Sequence, residues 1–237
     1  MAEKNLQELL GTVQSPVELL RNAQVGPNVY PGVPAEYLKE PEQLTTGRGG
    51  RTIGYLARVC PEKGLDQLVD AALLLRQRPG FEDVRRNAAG YLGKSSHAWY
   101  AELERRIAGG PLAKGYTYRG EVDQGGKLAL IDSADVLAVP TRYAESKGIY
   151  VIESLARGKP VVLPHHGAFP ELVGLTGGGV THPPGDARAL ADALAELLND
   201  PGRRARLGRD GHAVVRERFL DTHMAAGMLD VYRGAMR

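Results

Sequence analysis

Cysteine is nearly absent. Cys60 stands alone, which excludes an intrachain disulfide and a cysteine-built zinc cage and suits a reducing, cytoplasmic setting. No apolar run approaches the ~18 residues of a membrane span, and the N-terminal stretch lacks the apolar core of a signal peptide. The net charge is only +2, which argues against a dedicated nucleic-acid surface. Two nucleotide signatures are also missing. No G-x-G-x-x-G turn follows the first regular apolar run, which disfavours a nicotinamide-dependent enzyme, and no G-x-x-x-x-G-K-[ST] stretch marks a P-loop. Aromatic residues make up 6% of the 237, against 30 glycines, a balance that suits an α/β protein with many tight strand-to-helix turns.

What is present falls into two parts. Residues 1 to 50 read as a preamble. One or two short helices are expected over about 1–25, with Ser15-Pro16 as an N-cap and N1 pair, an extended piece Asn28–Pro34 follows, and a polar linker runs from Lys39 to Gly50. From Arg51 to Arg237 the pattern is regular. Apolar runs near 52–57, 84–92, 115–119, 135–139, 159–163 and 178–182 alternate with helical patterns near 64–78, 95–108, 123–133, 148–157, 168–173 and 186–199. That alternation predicts a doubly wound, Rossmann-like parallel sheet of about six strands, covered on both faces. Asp186 is the expected N-cap of the helix over 187–199, and Ser95 or Ser96 that of the helix ending near 108. The last 37 residues read as helical throughout.

One stretch stands out for chemistry, Tyr143 to Pro160. It follows the short buried-strand run Val136–Val139, and Gly148 opens a helix whose apolar residues are Ile149, Ile152, Leu155 and Ala156. Glu145 then precedes the helix and Glu153 sits on it. The free N–H groups of Gly148, Ile149 and Tyr150 suit an anion, and the two carboxylates suit sugar hydroxyls. A second stretch, Gly54 to Gly64, ends the first strand and carries Arg58 and Lys63 into the next helix. Ligands of open parallel sheets bind outside the strand ends, so these cations fit a diphosphate. The plainer reading of the pair is two solvated cations on a surface turn.

Other features take bland readings. His165-His166 is a loop pair with no carboxylate spaced to complete a metal site. Cys60 reads as a small buried packing residue, and Trp99 as a partly buried helix residue. Gly125-Gly126 weakens the start of its helix. Arg203, Arg204, Arg206 and Arg209 read as a solvated helix face, with contact to anionic lipid at the inner membrane surface as the alternative.

Taken together, these motifs resemble the family-4 retaining glycosyltransferases of GT-B fold. Arg58…Lys63-Gly64 matches the R-x-x-x-x-K-G turn. Glu145…Glu153 matches the E-x7-E pattern and runs on into Ser154-Leu155-Ala156-Arg157-Gly158-Lys159-Pro160-Val161-Val162. Tyr118–Val122 and Gly167…Glu171 match more weakly. The resemblance covers about residues 28 to 235 and only the C-terminal, donor-binding half of that fold.

It implies that Arg58 and Lys63 bind the diphosphate and stabilise the departing nucleoside diphosphate. Glu145, with the backbone of Gly148, Ile149 and Tyr150, would hold the sugar and distal phosphate. Glu153 would accept from the ribose hydroxyls, and Glu121 and Val122 would lie beside the base. Further implications are a UDP- or GDP-hexose donor, no metal or other cofactor, and a glycan, lipid or small-molecule acceptor. With the acceptor half absent, the chain reads either as the donor-binding domain of a hexosyltransferase or as a non-catalytic binding module or split subunit that needs a separate acceptor-domain chain.

Overall fold

A computed structural model describes residues 29–40, 44 and 50–235. The helices expected over 1–25 and most of the 39–50 linker lie outside the described residues. Residues 31–224 form one compact unit, and residues 1–30 with 225–237 form another.

Six parallel strands make the sheet: β1 (Thr52–Leu56), β2 (Arg85–Ala89), β3 (Tyr116–Tyr118), β4 (Val136–Ala138), β5 (Val161–Pro164) and β6 (Gly179–His182). Between them run α1 (Leu65–Arg76), α2 (His97–Ala108), α3 (Gln124–Ser133), α4 (Ile149–Ala156) and α5 (Phe169–Thr176), followed by α6 (Ala187–Asn199), α7 (Pro201–Arg218) and α8 (Asp221–Ala235). The strand order is β3-β2-β1-β4-β5-β6. Right-handed crossovers then place α1 and α2 on one face and α3, α4 and α5 on the other. With both faces covered, β4 and β5 are buried throughout, which is why their sequences are unbroken apolar runs.

β2 breaks that pattern. Arg86 is buried in mid-strand, its guanidinium donating to the carbonyl oxygens of Val84 and Leu112 at 2.7 Å each. Burial lowers its pKa to about 10.

Local signals hold at some helix starts and fail at others. Asp186 accepts from the N–H groups of Arg188 and Ala189, each at 2.9 Å. Ser96 occupies the cap position of α2, but its side chain makes no capping bond, because a 3-10 turn over Lys94–Ser96 leads straight into the helix. The final segment is not one continuous helix. Its break falls at Phe219 and Leu220, where Val33 pairs with the chain: Val33 N–H donates to the Phe219 carbonyl at 2.9 Å and Asp221 N–H to the Val33 carbonyl at 3.0 Å. No described helix is long and apolar enough to cross a membrane.

The order of strands fixes where a ligand can sit. From β1 the chain moves outward to β2 on one side, while β4, β1's other neighbour, leads away through β5 to β6. The segments leaving β1 and β4 therefore flank a crevice at the topological switch point.

Candidate functional site

The segment leaving β1 carries Lys63 and that leaving β4 carries Glu145. A 3-10 turn, Pro61–Lys63, ends at Gly64, which has φ 71° and serves as the N-cap of α1. A Cβ at Gly64 would stand 1.9 Å from the Pro140 carbonyl oxygen, so only glycine lets the turn press against the end of β4. Tyr55, fully buried in β1, supports the turn from below by donating to the Arg58 carbonyl at 3.1 Å. Burial pushes its hydroxyl pKa well above the ordinary tyrosine value.

Across the crevice the Glu145 loop is held from its far side. Ala168 N–H donates to the Glu145 carbonyl at 2.8 Å, and His166 Nε2 bonds the Thr141 carbonyl at 3.0 Å. Gly148, at φ 59°, reverses the chain into α4 and leaves the first N–H groups of that helix without intrahelical partners.

Lys63 Nζ meets Glu145 Oε2 in an ion pair, with the two side chains only 9% and 12% exposed. The Tyr143 hydroxyl donates to the same carboxylate oxygen at 3.3 Å. The Lys63 ammonium also lies 4.9 Å from the Tyr143 ring centroid and 5.5 Å from that of Tyr150, within cation–π range. The Tyr150 hydroxyl is buried with no hydrogen-bond partner among the described residues. Burial first, and then the Glu145 charge, raise its pKa. An orphaned donor of this kind is costly unless a ligand satisfies it.

Glu153, 6% exposed on α4, is also paired: Lys127 Nζ on α3 reaches its Oε1 at 2.5 Å. Burial alone would lower the Lys127 pKa. The bond and charge of Glu153, together with Tyr37, reverse that and raise it. The Tyr37 ring lies 5.4 Å from the ammonium. Both carboxylates thus already have cationic partners in the unliganded chain.

Not every expected residue joins this cluster. Arg58 is exposed and lines a cleft of about 730 Å³ with Tyr91, Gly93, Lys94, Ser95 and Ser96. It forms no ion pair with either acid. Glu121 is exposed and Val122 half-buried on the turn after β3, which is tied to the end of β2 where Gly90 N–H donates to the Gly120 carbonyl at 2.9 Å. Cys60 is only partly buried, contrary to the expected packing role, because it caps the 3-10 turn at the surface. Burial nevertheless raises its thiol pKa, which disfavours the thiolate. A separate hollow of about 410 Å³, lined by Lys39, Asp132, Asp135, Lys159 and Arg204 among others, opens where β1, β4 and β5 begin and holds none of these residues. Among the described residues, no group of three or more His, Cys, Asp or Glu is placed to hold a metal ion.

Three contributors escaped the sequence reading. Lys127 approaches Glu153, and Tyr37 approaches Lys127, from remote segments, and no local pattern points to them. Tyr143 was within reach of inference, since it stands two residues before Glu145.

Residues 37–214 match the family of glycosyl transferases group 1, and the chain belongs to that family. The phosphatidyl-myo-inositol mannosyltransferase of Mycobacterium leprae is 35% identical over 209 residues, covering 85% of this chain and 51% of that protein. The chain spans about half the length of the curated relatives it matches. Among solved structures, Anabaena Alr3699/HepE in complex with UDP and glucose superposes with a TM-score of 0.77 at 22% identity, over 90% of this chain and 58% of that one. The C-terminal domain of the group 1 family protein LpcC from Francisella tularensis gives 0.69 at 20% identity, covering 80% of this chain and all of that domain. At such identities these two likenesses speak to the fold, the Rossmann-like half of a GT-B protein.

Proposed function

We propose that this chain is the donor-binding half of a retaining hexosyltransferase that takes its sugar from a nucleoside diphosphate. The observation that carries this reading is the Lys63–Glu145 pair at the switch-point crevice, set against the start of α4 with the unpartnered Tyr150 hydroxyl beside it. A cation, helix N–H groups and a spare hydroxyl suit the distal phosphate. In this reading Glu145 takes the sugar hydroxyls, and Glu153, on the helix that follows, takes the ribose. The family motif assigns Arg58, on the neighbouring cleft at the end of β1, to the diphosphate as well, and Glu121 and Val122 to the base.

In the reaction, the bond between the anomeric carbon and the phosphate oxygen breaks with its electron pair going to phosphate. The acceptor hydroxyl bonds to the carbon on the same face and gives its proton to the leaving phosphate. Positive charge around the diphosphate stabilises that transition state more than the ground state. Arg58, Lys63 and the α4 N-terminus supply this charge, so the scheme requires no metal ion, and Glu145 is not a covalent nucleophile.

The resemblance to a phosphatidyl-myo-inositol mannosyltransferase and to a GDP-mannose-dependent phosphatidylinositol monomannoside mannosyltransferase, with a like fold solved in complex with UDP, makes GDP- and UDP-hexoses the first donors to try, and glycolipids the first acceptors. Calorimetry with UDP-, GDP- and ADP-sugars tests the pocket. Micromolar to millimolar binding of one nucleotide series is expected, and silence across all three would overturn the reading. The competing reading keeps the pocket and drops the chemistry, making the chain a binding module that serves a partner carrying the acceptor site. Hydrolysis or transfer of the bound donor by this chain alone would eliminate that alternative.

A further inference from the structure

The two sides of the crevice are fastened together by a further device, outside the Lys63–Glu145 pair. Arg142 lies at the start of the Glu145 loop and Asp66 in the first turn of α1, next to the Lys63 turn. The guanidinium forks onto the carboxylate, Nη1 to Oδ1 at 2.9 Å and Nη2 to Oδ2 at 2.7 Å. Nη1 also donates to the Pro61 carbonyl, and the Arg142 backbone N–H donates to the Glu62 carbonyl at 2.8 Å. One residue of the β4 loop therefore grips both residues that precede Lys63 and the helix that follows it. The contact is not a stability device, because the Arg142 side chain is 45% exposed and Asp66 23%. Exposed pairs of this kind contribute little to stability. What the fork does supply is geometric definition, since both planar groups are fixed in distance and in angle.

We propose that Arg142 and Asp66 form a positioning brace that sets the spacing between the Lys63 turn and the Glu145 loop for the distal phosphate of the donor. The inference rests on the donor-binding reading above. Neither residue touches the nucleotide. Each acts through the segments that do, holding the Lys63 turn against the loop that leads into α4. Without the brace, the Lys63–Glu145 pair persists but the two backbones drift, and the ordering cost falls on the ligand.

The full chain is titrated calorimetrically with UDP and GDP, each beside its monophosphate, and melted thermally. For Arg142→Ala, affinity for the diphosphate should drop about tenfold while the monophosphate changes by less than about twofold. The melting temperature should barely move. Arg142→Lys, which keeps the charge and loses the fork, should recover little of the loss. The Arg142→Ala/Asp66→Asn double variant should bind no worse than Arg142→Ala, because both changes cut one device. Should Arg142→Ala fail to fold, Asp66→Asn carries the same comparison. Unchanged diphosphate affinity, or equal losses for diphosphate and monophosphate, would overturn the brace. If the unaltered chain binds neither UDP nor GDP, the donor-binding reading falls and the brace with it. If it binds and the variants match it, the brace alone falls.

Discussion

The ammonium of Lys63 and the carboxylate of Glu145, 82 positions apart in the chain, form a buried ion pair across the crevice between β1 and β4. Neither side chain reaches this position by local folding. It takes the β1–β4 neighbour relation to bring the two loops face to face.

Two effects follow from removing Lys63. Lys63→Ala leaves the Glu145 carboxylate desolvated and uncompensated, a loss on the order of 3 kcal/mol in a buried pair. The double variant Lys63→Ala/Glu145→Gln should recover much of that stability in a thermal melt. Ligand binding should not recover with it. Nucleoside-diphosphate affinity stays low in both variants, while nucleoside affinity stays near that of the unaltered chain. Equal losses for the two ligands would refute the diphosphate role.

Glu153 gives a sharper ligand test, because its only assigned partner is the ribose. Glu153→Gln should lower affinity for the ribonucleotide by about tenfold, the scale of one charge-assisted hydrogen bond. Binding of the 2′,3′-dideoxy analogue should be nearly unchanged, since it presents no hydroxyls to that carboxylate. In the unliganded chain Lys127 holds the same oxygen, so Lys127→Met is expected to destabilise the empty protein more than the nucleotide-bound one. A matched pair of melts, with and without nucleotide, reads that difference.

Much of this site was legible because it depends on short-range rules. β4 and β5 are covered on both faces, so Val136–Ala138 and Val161–Leu163 had to be apolar. Likewise, a helix opening at Gly148 placed Glu145 before it and Glu153 on it. The partners of those acids were not legible. Lys127 and Glu153 meet only because α3 and α4 lie on the same face of the sheet, and Arg142 finds Asp66 only through the β1–β4 contact. Arg86 shows the converse case. A charged residue within an apolar run counts against a buried strand, yet two carbonyl oxygens accept from the Nη atoms of Arg86 in place of water, and only its Nε is left without a partner. The break at Phe219–Leu220 was equally hidden, since helical periodicity continues through it and only pairing with Val33 interrupts it.

Gly64 should be the least replaceable residue of the Lys63 turn. Gly64→Ala meets two penalties at once, a side chain at φ 71° and a Cβ 1.9 Å from the Pro140 carbonyl oxygen. The left-handed conformation alone costs about 1 kcal/mol for alanine, and the clash forces the turn away from β4 as well. The melting temperature should fall by several degrees and nucleoside-diphosphate affinity should fall with it, whereas Gly174→Ala, at a position with open space, should leave binding unchanged.

Stability should depend on pH through two buried histidines that take no part in the crevice chemistry. His182 and His212 are each 3% exposed, and burial lowers the pKa of both. In the unfolded chain a histidine binds a proton near pH 6.5. As pH falls through that value the unfolded state takes up protons that the folded state resists, so folding stability declines. Above about pH 7.5 both states are neutral at these sites and the contribution is constant. The melting temperature should therefore be flat from pH 8.5 to 7.5 and decline between about 7 and 5.5. His212 bonds the Lys39 carbonyl through Nε2, so His212→Gln, which retains a donor there, should flatten part of that decline at little cost at pH 8. A melting curve of His212→Gln that still falls as steeply below pH 7 would show that this imidazole is not one of the groups responsible.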